Sequence, residues 1–182
     1  EVMLSYFDED FGNPGSRTHA WGQRARAAVE RARDQVASVV GARRGDVVFP
    51  SGATGRNNLA ILGSCCAGLQ ARPERGLQVA PRSNRYHIVS TAIEHHAVLE
   101  PLAELERRGC EVTYVRPESG GAVTTDAVLA AVRPETRLVT VMHVNNETGA
   151  VQPIAGIADA LRGRDCVFHV DAAQSFGADL MK

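Results

Sequence analysis

From residue 86 to residue 171 the chain alternates short apolar runs of strand length with amphipathic stretches of helical period. That alternation restricts it to an α/β layer fold with a largely parallel sheet, a three-layer sandwich. Tyr86 to Ser90 reads as a strand, and His96 to Arg108 as an amphipathic helix closed by Gly109. Cys110 to Val115 follows as a strand, Asp126 to Val132 as a helix and Arg137 to Val144 as a strand. Ile154 to Leu161 is a helix, and Cys166 to Val170 a last apolar strand ending at Asp171. Upstream, Trp21, Ala25, Val29, Ala32, Val36 and Val40 recur at helical spacing, with Ser16 as N-cap and Gly41 as stop. Asp46 to Phe49 reads as a short buried strand leading into Ser51 to Gly55, and a helix begins near Asn57. The polar, proline-containing stretch 72–85 reads as a surface loop. No repeat or linker interrupts the pattern, and 182 residues of 44% apolar content are read as one domain over 1–182.

Charge excludes some classes of partner. The formal net charge is −1 and basic residues are spread along the chain, so no footprint for nucleic acid or an anionic membrane is expected. No stretch approaches the ~20 apolar residues of a membrane span. The start shows no secretory pattern. The four cysteines (Cys65, Cys66, Cys110, Cys166) lack a CxxC spacing and read as reduced thiols of a cytoplasmic protein.

Polar clusters stand at the predicted strand ends, where α/β sheets bind ligands. They are Ser51 to Thr54, Glu94-His95-His96, Asn145-Asn146-Glu147 and Asp171 to Gln174. In Gly52-Ala53-Thr54-Gly55, small residues let backbone N–H groups approach an anion at a helix start, and Thr54 adds a hydroxyl. The same turn serves geometry alone equally well. Asp171 is either a helix N-cap or the counter-ion of a protonated heterocycle nitrogen, with Gln174 a donor to a ring oxygen. His95 either caps its helix or stacks on a bound aromatic ring and exchanges protons. Asn145 and Asn146 suit a turn or an amide contact to a ring hydroxyl or a carboxylate. His19, His87, His143 and His169 read as structural, and no metal-ligand spacing is visible.

Taken in order, five motifs resemble a known family. They are Gly12-Asn13-Pro14-Gly15-Ser16; Phe49-Pro50-Ser51-Gly52-Ala53-Thr54 with Asn57-Asn58; Glu94-His95-His96-Ala97-Val98-Leu99; Met142-His143-Val144-Asn145-Asn146-Glu147-Thr148-Gly149; and His169-Val170-Asp171-Ala172-Ala173-Gln174-Ser175. Together they resemble cysteine desulfurases of the NifS/IscS type, in the class V aminotransferase group of fold-type I pyridoxal-phosphate enzymes. The resemblance implies part of a large domain that binds pyridoxal 5'-phosphate, without the Schiff-base lysine segment or the small domain. It implies that Ala53 and Thr54 hold the phosphate and that His95 is catalytic and stacks on the ring. Asn146 would meet the ring hydroxyl and the substrate carboxylate, Asp171 the pyridinium nitrogen, and Gln174 the phenolic oxygen. The implied reaction removes sulfur from L-cysteine, leaving L-alanine and an enzyme persulfide for iron–sulfur cluster or thio-cofactor assembly. A homodimer and a sulfur-acceptor or scaffold partner are implied too. Selenocysteine lyase, or a truncated non-catalytic homologue acting in partnering or dimerisation, are the alternatives.

Three departures qualify the resemblance. The only lysine is Lys182, which stands too close to Gln174 and outside a Ser-x-His-Lys context, so it is not assigned as the cofactor lysine. None of the four cysteines matches the family's persulfide cysteine. The acidic residue usual after the phosphate threonine is replaced by Gly55, followed by Arg56.

Overall fold

The structure is a computed structural model that describes residues 2–8, 11–66 and 86–177. The stretch 72–85 and Lys182 lie outside them. By internal contacts the chain falls into two compact units, 1–49 and 50–182. The alternation that suggested one domain belongs to the second.

The first unit holds α1 (Val2–Asp8) and α2 (Ala20–Val39). His19, not Ser16, caps α2, its Nδ1 accepting from the Gly22 N–H at 3.0 Å. Ser16 is instead used in the preceding turn: its N–H donates to the Asn13 carbonyl at 3.0 Å and its hydroxyl meets that of Thr18 at 3.2 Å. Gly41 stops the helix as expected, with φ 64°, a conformation that favours glycine. The 12–16 loop lies hard against α2. A Cβ on Gly12 would stand 2.1 Å from the Trp21 carbonyl oxygen and 2.9 Å from the Gly22 nitrogen. Both atoms are backbone and cannot swing aside. Gly12→Ala is therefore expected to cost about 1–3 kcal/mol, read as a lowered thermal midpoint of the full-length protein.

The expected strand over 46–49 is not formed. Arg44–Asp46 is a short 3-10 turn, closed by Arg43 hydrogen bonds to the Asp46 carboxylate at 2.9 and 3.0 Å. Beyond it the chain is held by side chains of α2 rather than by a ladder. Arg33 donates to the Val47 carbonyl and lays its guanidinium 5.1 Å from the Phe49 ring centre. Val47 is buried, whereas Val48 is 60% exposed, so the apolar run covers no sheet face.

The second unit runs α3 (Ala53–Cys66), β1 (His87–Thr91), α4 (His96–Arg107), β2 (Glu111–Val115), α5 (Thr125–Ala131), β3 (Thr136–Met142), α6 (Ile154–Ala160) and β4 (Val167–Asp171). The four strands lie in the order β2-β1-β3-β4, and all neighbouring pairs are parallel. Alternate residues of β1 and β3 feed two separate cores. Ile88 and Leu138 pack with Ile61 of α3 and with Val98, Leu102 and Leu105 of α4. Val89, Val139 and Val141 pack with Val128 of α5 and Ile157 of α6. Helices on both faces make the three-layer α/β sandwich, and the central strands are buried on both sides, as parallel sheets require.

Strand order has one consequence for position. The chain goes from β1 outward to β2, then returns to the other side of β1 to lay down β3 and β4. The connections above β1 and β3 therefore diverge and leave a crevice at the carboxyl ends of the strands.

Candidate active site

Thr54, His95, Asn146, Asp171 and Gln174 line one cavity of about 160 Å3 in that crevice, together with Asn57, Ala97, Met142, Val144 and Ala173. Ala53 is the first residue of α3. Thr54 follows it on the opening turn of a helix of 14 residues, whose Arg56 N–H already donates to the Gly52 carbonyl at 3.1 Å. The remaining early N–H groups of such a turn have no intrahelical partner and give that corner a positive character.

His95 caps its helix and also lines the cavity. Its Nδ1 accepts from the Ala97 N–H at 3.1 Å, capping α4, and the ring stays exposed on the cavity. With Nδ1 engaged as an acceptor, Nε2 is the ring nitrogen left for another partner. The adjacent His96 ring stands 6.2 Å away at 73° and does not line the cavity.

The two asparagines divide the roles that the sequence left open. Asn145 is buried and builds the loop: its Nδ2 donates to the Ile93 carbonyl at 3.0 Å, and its Oδ1 accepts from the N–H groups of Glu147 and Thr148 at 3.0 and 2.9 Å. Asn146, the next residue, points at the cavity.

Asp171 ends β4, and over the described residues 173–177 the chain turns. One carboxylate oxygen accepts from the Ala173 N–H at 3.0 Å and the other from Asn57 Nδ2 at 2.9 Å. Asn57 is 5% exposed and was not singled out by its chemistry in the sequence. The available signal was its place three residues after Thr54, on the same helix face. Below the turn, Ser175 is fully buried with its hydroxyl 2.9 Å from His143 Nδ1, which ties the Gln174 turn to the end of β3. His87 and His169 make comparable structural bonds, to Thr136 and Thr113 at 2.7 and 2.9 Å and to Thr140 at 2.8 Å.

Glu94 is the second residue that sequence reasoning left without a role. Its side chain is 5% exposed; Oε1 accepts from the Thr91 hydroxyl at 2.6 Å and from the Met142 N–H at 2.8 Å. Burial pushes its carboxyl from 4.5 up to about 7; the two hydrogen bonds oppose that shift and the nearby Asp171 adds to it. The unfolded chain ionises this group first, so its contribution to stability is complete below about pH 4.5 and is lost as pH rises through about 7. That difference is worth about 3 kcal/mol. Glu94→Gln should abolish it, making the variant gain on the wild type between acid and neutral pH in thermal midpoints of the full-length protein.

The arrangement joins a carboxylate, three amides, an imidazole and a hydroxyl at a helix start around one apolar-floored cavity. Such a set suits a planar, hydrogen-bonding heterocycle with an anionic arm, held by an α/β enzyme at its switch point. Among the described residues no cluster of side chains is suited to a metal ion, and no helix is long and apolar enough to cross a membrane.

The chain belongs to the aminotransferase class-V family, whose model matches residues 1–181. It is similar to cysteine desulfurase IscS of Vibrio campbellii, 45% identical over 179 residues, covering 97% of this chain and 41% of that protein. Among solved structures it is similar to DndA from Streptomyces lividans, with TM-score 0.83 and 45% identity over 97% of this chain and 46% of that one. SspA in complex with cysteine matches with TM-score 0.81 and 36% identity, over 96% of this chain and 46% of the other. The chain thus spans less than half the length of these relatives.

Proposed function

We propose that the protein carrying this chain is a pyridoxal-phosphate-dependent cysteine desulfurase, and that residues 50–66 and 86–177 form much of its cofactor cradle. The meeting of Thr54, His95, Asn146, Asp171 and Gln174 around one cavity carries this reading. The similarity to IscS relatives supports the reaction, and a neighbour solved with cysteine supports the substrate.

The donor set would serve the cofactor's phosphate, ring nitrogen and ring hydroxyl. Ala53 and Thr54, at the opening turn of α3, would hold the phosphate, where backbone N–H groups and a hydroxyl favour an anion. Asp171 would keep the ring nitrogen protonated, and Asn57 holds that carboxylate in place. Gln174 would donate to the phenolic oxygen, and Asn146 would serve the ring hydroxyl and the substrate carboxylate. His95, with Nδ1 committed to Ala97, would stack its ring and exchange protons at Nε2. Pyridoxal 5'-phosphate, when bound, supplies the electron sink for cleavage at an amino acid. The covalent lysine and the sulfur-accepting cysteine are assigned to no residue of this chain. The products would be L-alanine and an enzyme-bound persulfide passed to an acceptor or scaffold protein for iron–sulfur cluster or thio-cofactor assembly, by a cytoplasmic homodimer.

The test is to purify the full-length protein and look for a visible cofactor chromophore and for stoichiometric alanine and sulfide from L-cysteine with a thiol reductant. Both are expected. A protein that takes up no pyridoxal phosphate and forms no alanine overturns the reading; turnover confined to selenocysteine overturns the substrate.

A further inference from the structure

β1 and β3 are hydrogen-bonded neighbours, but the last pair of their ladder is Ser90 with Thr140. Past it their chains leave in opposite directions, β1 through α4 toward β2 and β3 through α6 toward β4. The cavity stands between these exits, and His95 hangs from one of them. Two side chains cross from one exit to the other. Asn145 reaches back to the Ile93 carbonyl, and Glu94 reaches forward to the Met142 N–H.

The Glu94 link is a costly way to make this connection. A neutral side chain of the same shape would accept the same two hydrogen bonds without the penalty of burying an acid beside Asp171. Its Oε2 is buried and has no hydrogen-bond partner among the described residues. With Oε1 taken by two donors, a proton on this carboxyl resides on Oε2. The groups that bear on it are the Thr91 hydroxyl from β1, the Met142 N–H from β3 and the acidic side chain of Asp171 from β4.

We propose that Glu94 is a positioning residue, whose buried carboxyl locks the β1 exit to the end of β3 and so fixes where the next residue, His95, presents its imidazole. In the neutral acid the clamp is closed and adds no charge opposite Asp171. On ionisation its two hydrogen bonds strengthen, but a second buried negative charge then stands near that carboxylate. As a statement about reaction chemistry this rests on the proposed reading of the cavity, but the position of the His95 ring does not.

The experiment compares wild type, Glu94→Gln and Glu94→Ala in the full-length protein, with isotope-labelled histidine, before and after loading with pyridoxal phosphate. In the unloaded protein Glu94→Gln should keep the wild-type His95 resonances, whereas Glu94→Ala should shift or broaden them. After loading, Gln should keep cofactor affinity and kcat/KM within about threefold, and Ala should lose about tenfold or more in both, the size expected for two lost hydrogen bonds. Should Glu94→Ala not fold, Thr91→Val, which removes one donor, should move the same readouts the same way by less. Unmoved His95 resonances in Glu94→Ala or Thr91→Val, or a Gln variant as impaired as Ala, would overturn the proposal. If wild type binds no cofactor, the cradle reading fails and the His95 resonances alone decide the clamp.

Discussion

In Asp171→Ala, the proposed L-cysteine desulfuration by the full-length protein should fall by about a hundred- to several-thousand-fold, with most of the loss in kcat. The carboxylate does two things, and both vanish. It supplies the negative charge proposed to hold a proton on the cofactor's ring nitrogen, and it accepts hydrogen bonds from Asn57 and from the Ala173 N–H. Breaking a partly desolvated charge pair by removing one member costs roughly 3–5 kcal/mol, which sets the size of the drop. Asp171→Asn keeps the shape but turns one acceptor into a donor that opposes Asn57 Nδ2, so it should recover only a small part. Asn57→Ala, which leaves the charge but frees it to swing, should cost about tenfold. Alanine release from L-cysteine and the cofactor's visible band report all three. An Asp171→Ala enzyme with wild-type turnover would remove the counter-ion role.

Leu102→Ala should lower the stability of the full-length protein by about 2–5 kcal/mol, without any direct contact with the cavity. Leu102 is fully buried in the cluster formed by Ile61, Val98, Leu105, Ile88 and Leu138. It is packed by α3, α4 and the sheet, so the void left by its removal cannot collapse from one side alone. Leu102→Met, which conserves volume, should cost less than about 1.5 kcal/mol. Urea denaturation midpoints distinguish the two; equal midpoints would mean that this layer is not close-packed. Because the same core seats α4 on the sheet, the Ala variant should also weaken retention of the proposed cofactor through His95.

The parts of the fold that could be read from residues alone are those with a local cause. The strand at His87–Thr91 and the helix from His96 follow from periodicity and from a side chain that caps its own helix, and each lies within a residue of its expected place at its start. The segment over 46–49 shows the opposite case. Val47, Val48 and Phe49 have strand propensity, but propensity does not supply a neighbouring strand, and Arg33 takes up the Val47 carbonyl instead. The site shows the same division. His95, Asn146, Asp171 and Gln174 drew attention as polar groups at the ends of apolar runs and Thr54 as a hydroxyl at a helix start, and the structure lines one cavity with all five. Asn57 and Glu94 escaped because an Asn inside a helix and an acid in a loop look solvated until the rest of the chain buries them.

The chain's own order of apolar and polar residues determined which stretches extend or coil and which side chains carry chemistry, since both depend on near neighbours. Tertiary structure alone decided which of these residues meet. The β2-β1-β3-β4 order brings Asn57 to Asp171 across 114 positions, gives the wall of the cavity to Asn146 and the loop to Asn145, and closes Glu94 onto Met142. Burial and hydrogen-bond partners are properties of packed elements, and no local pattern specifies them before the sheet has formed.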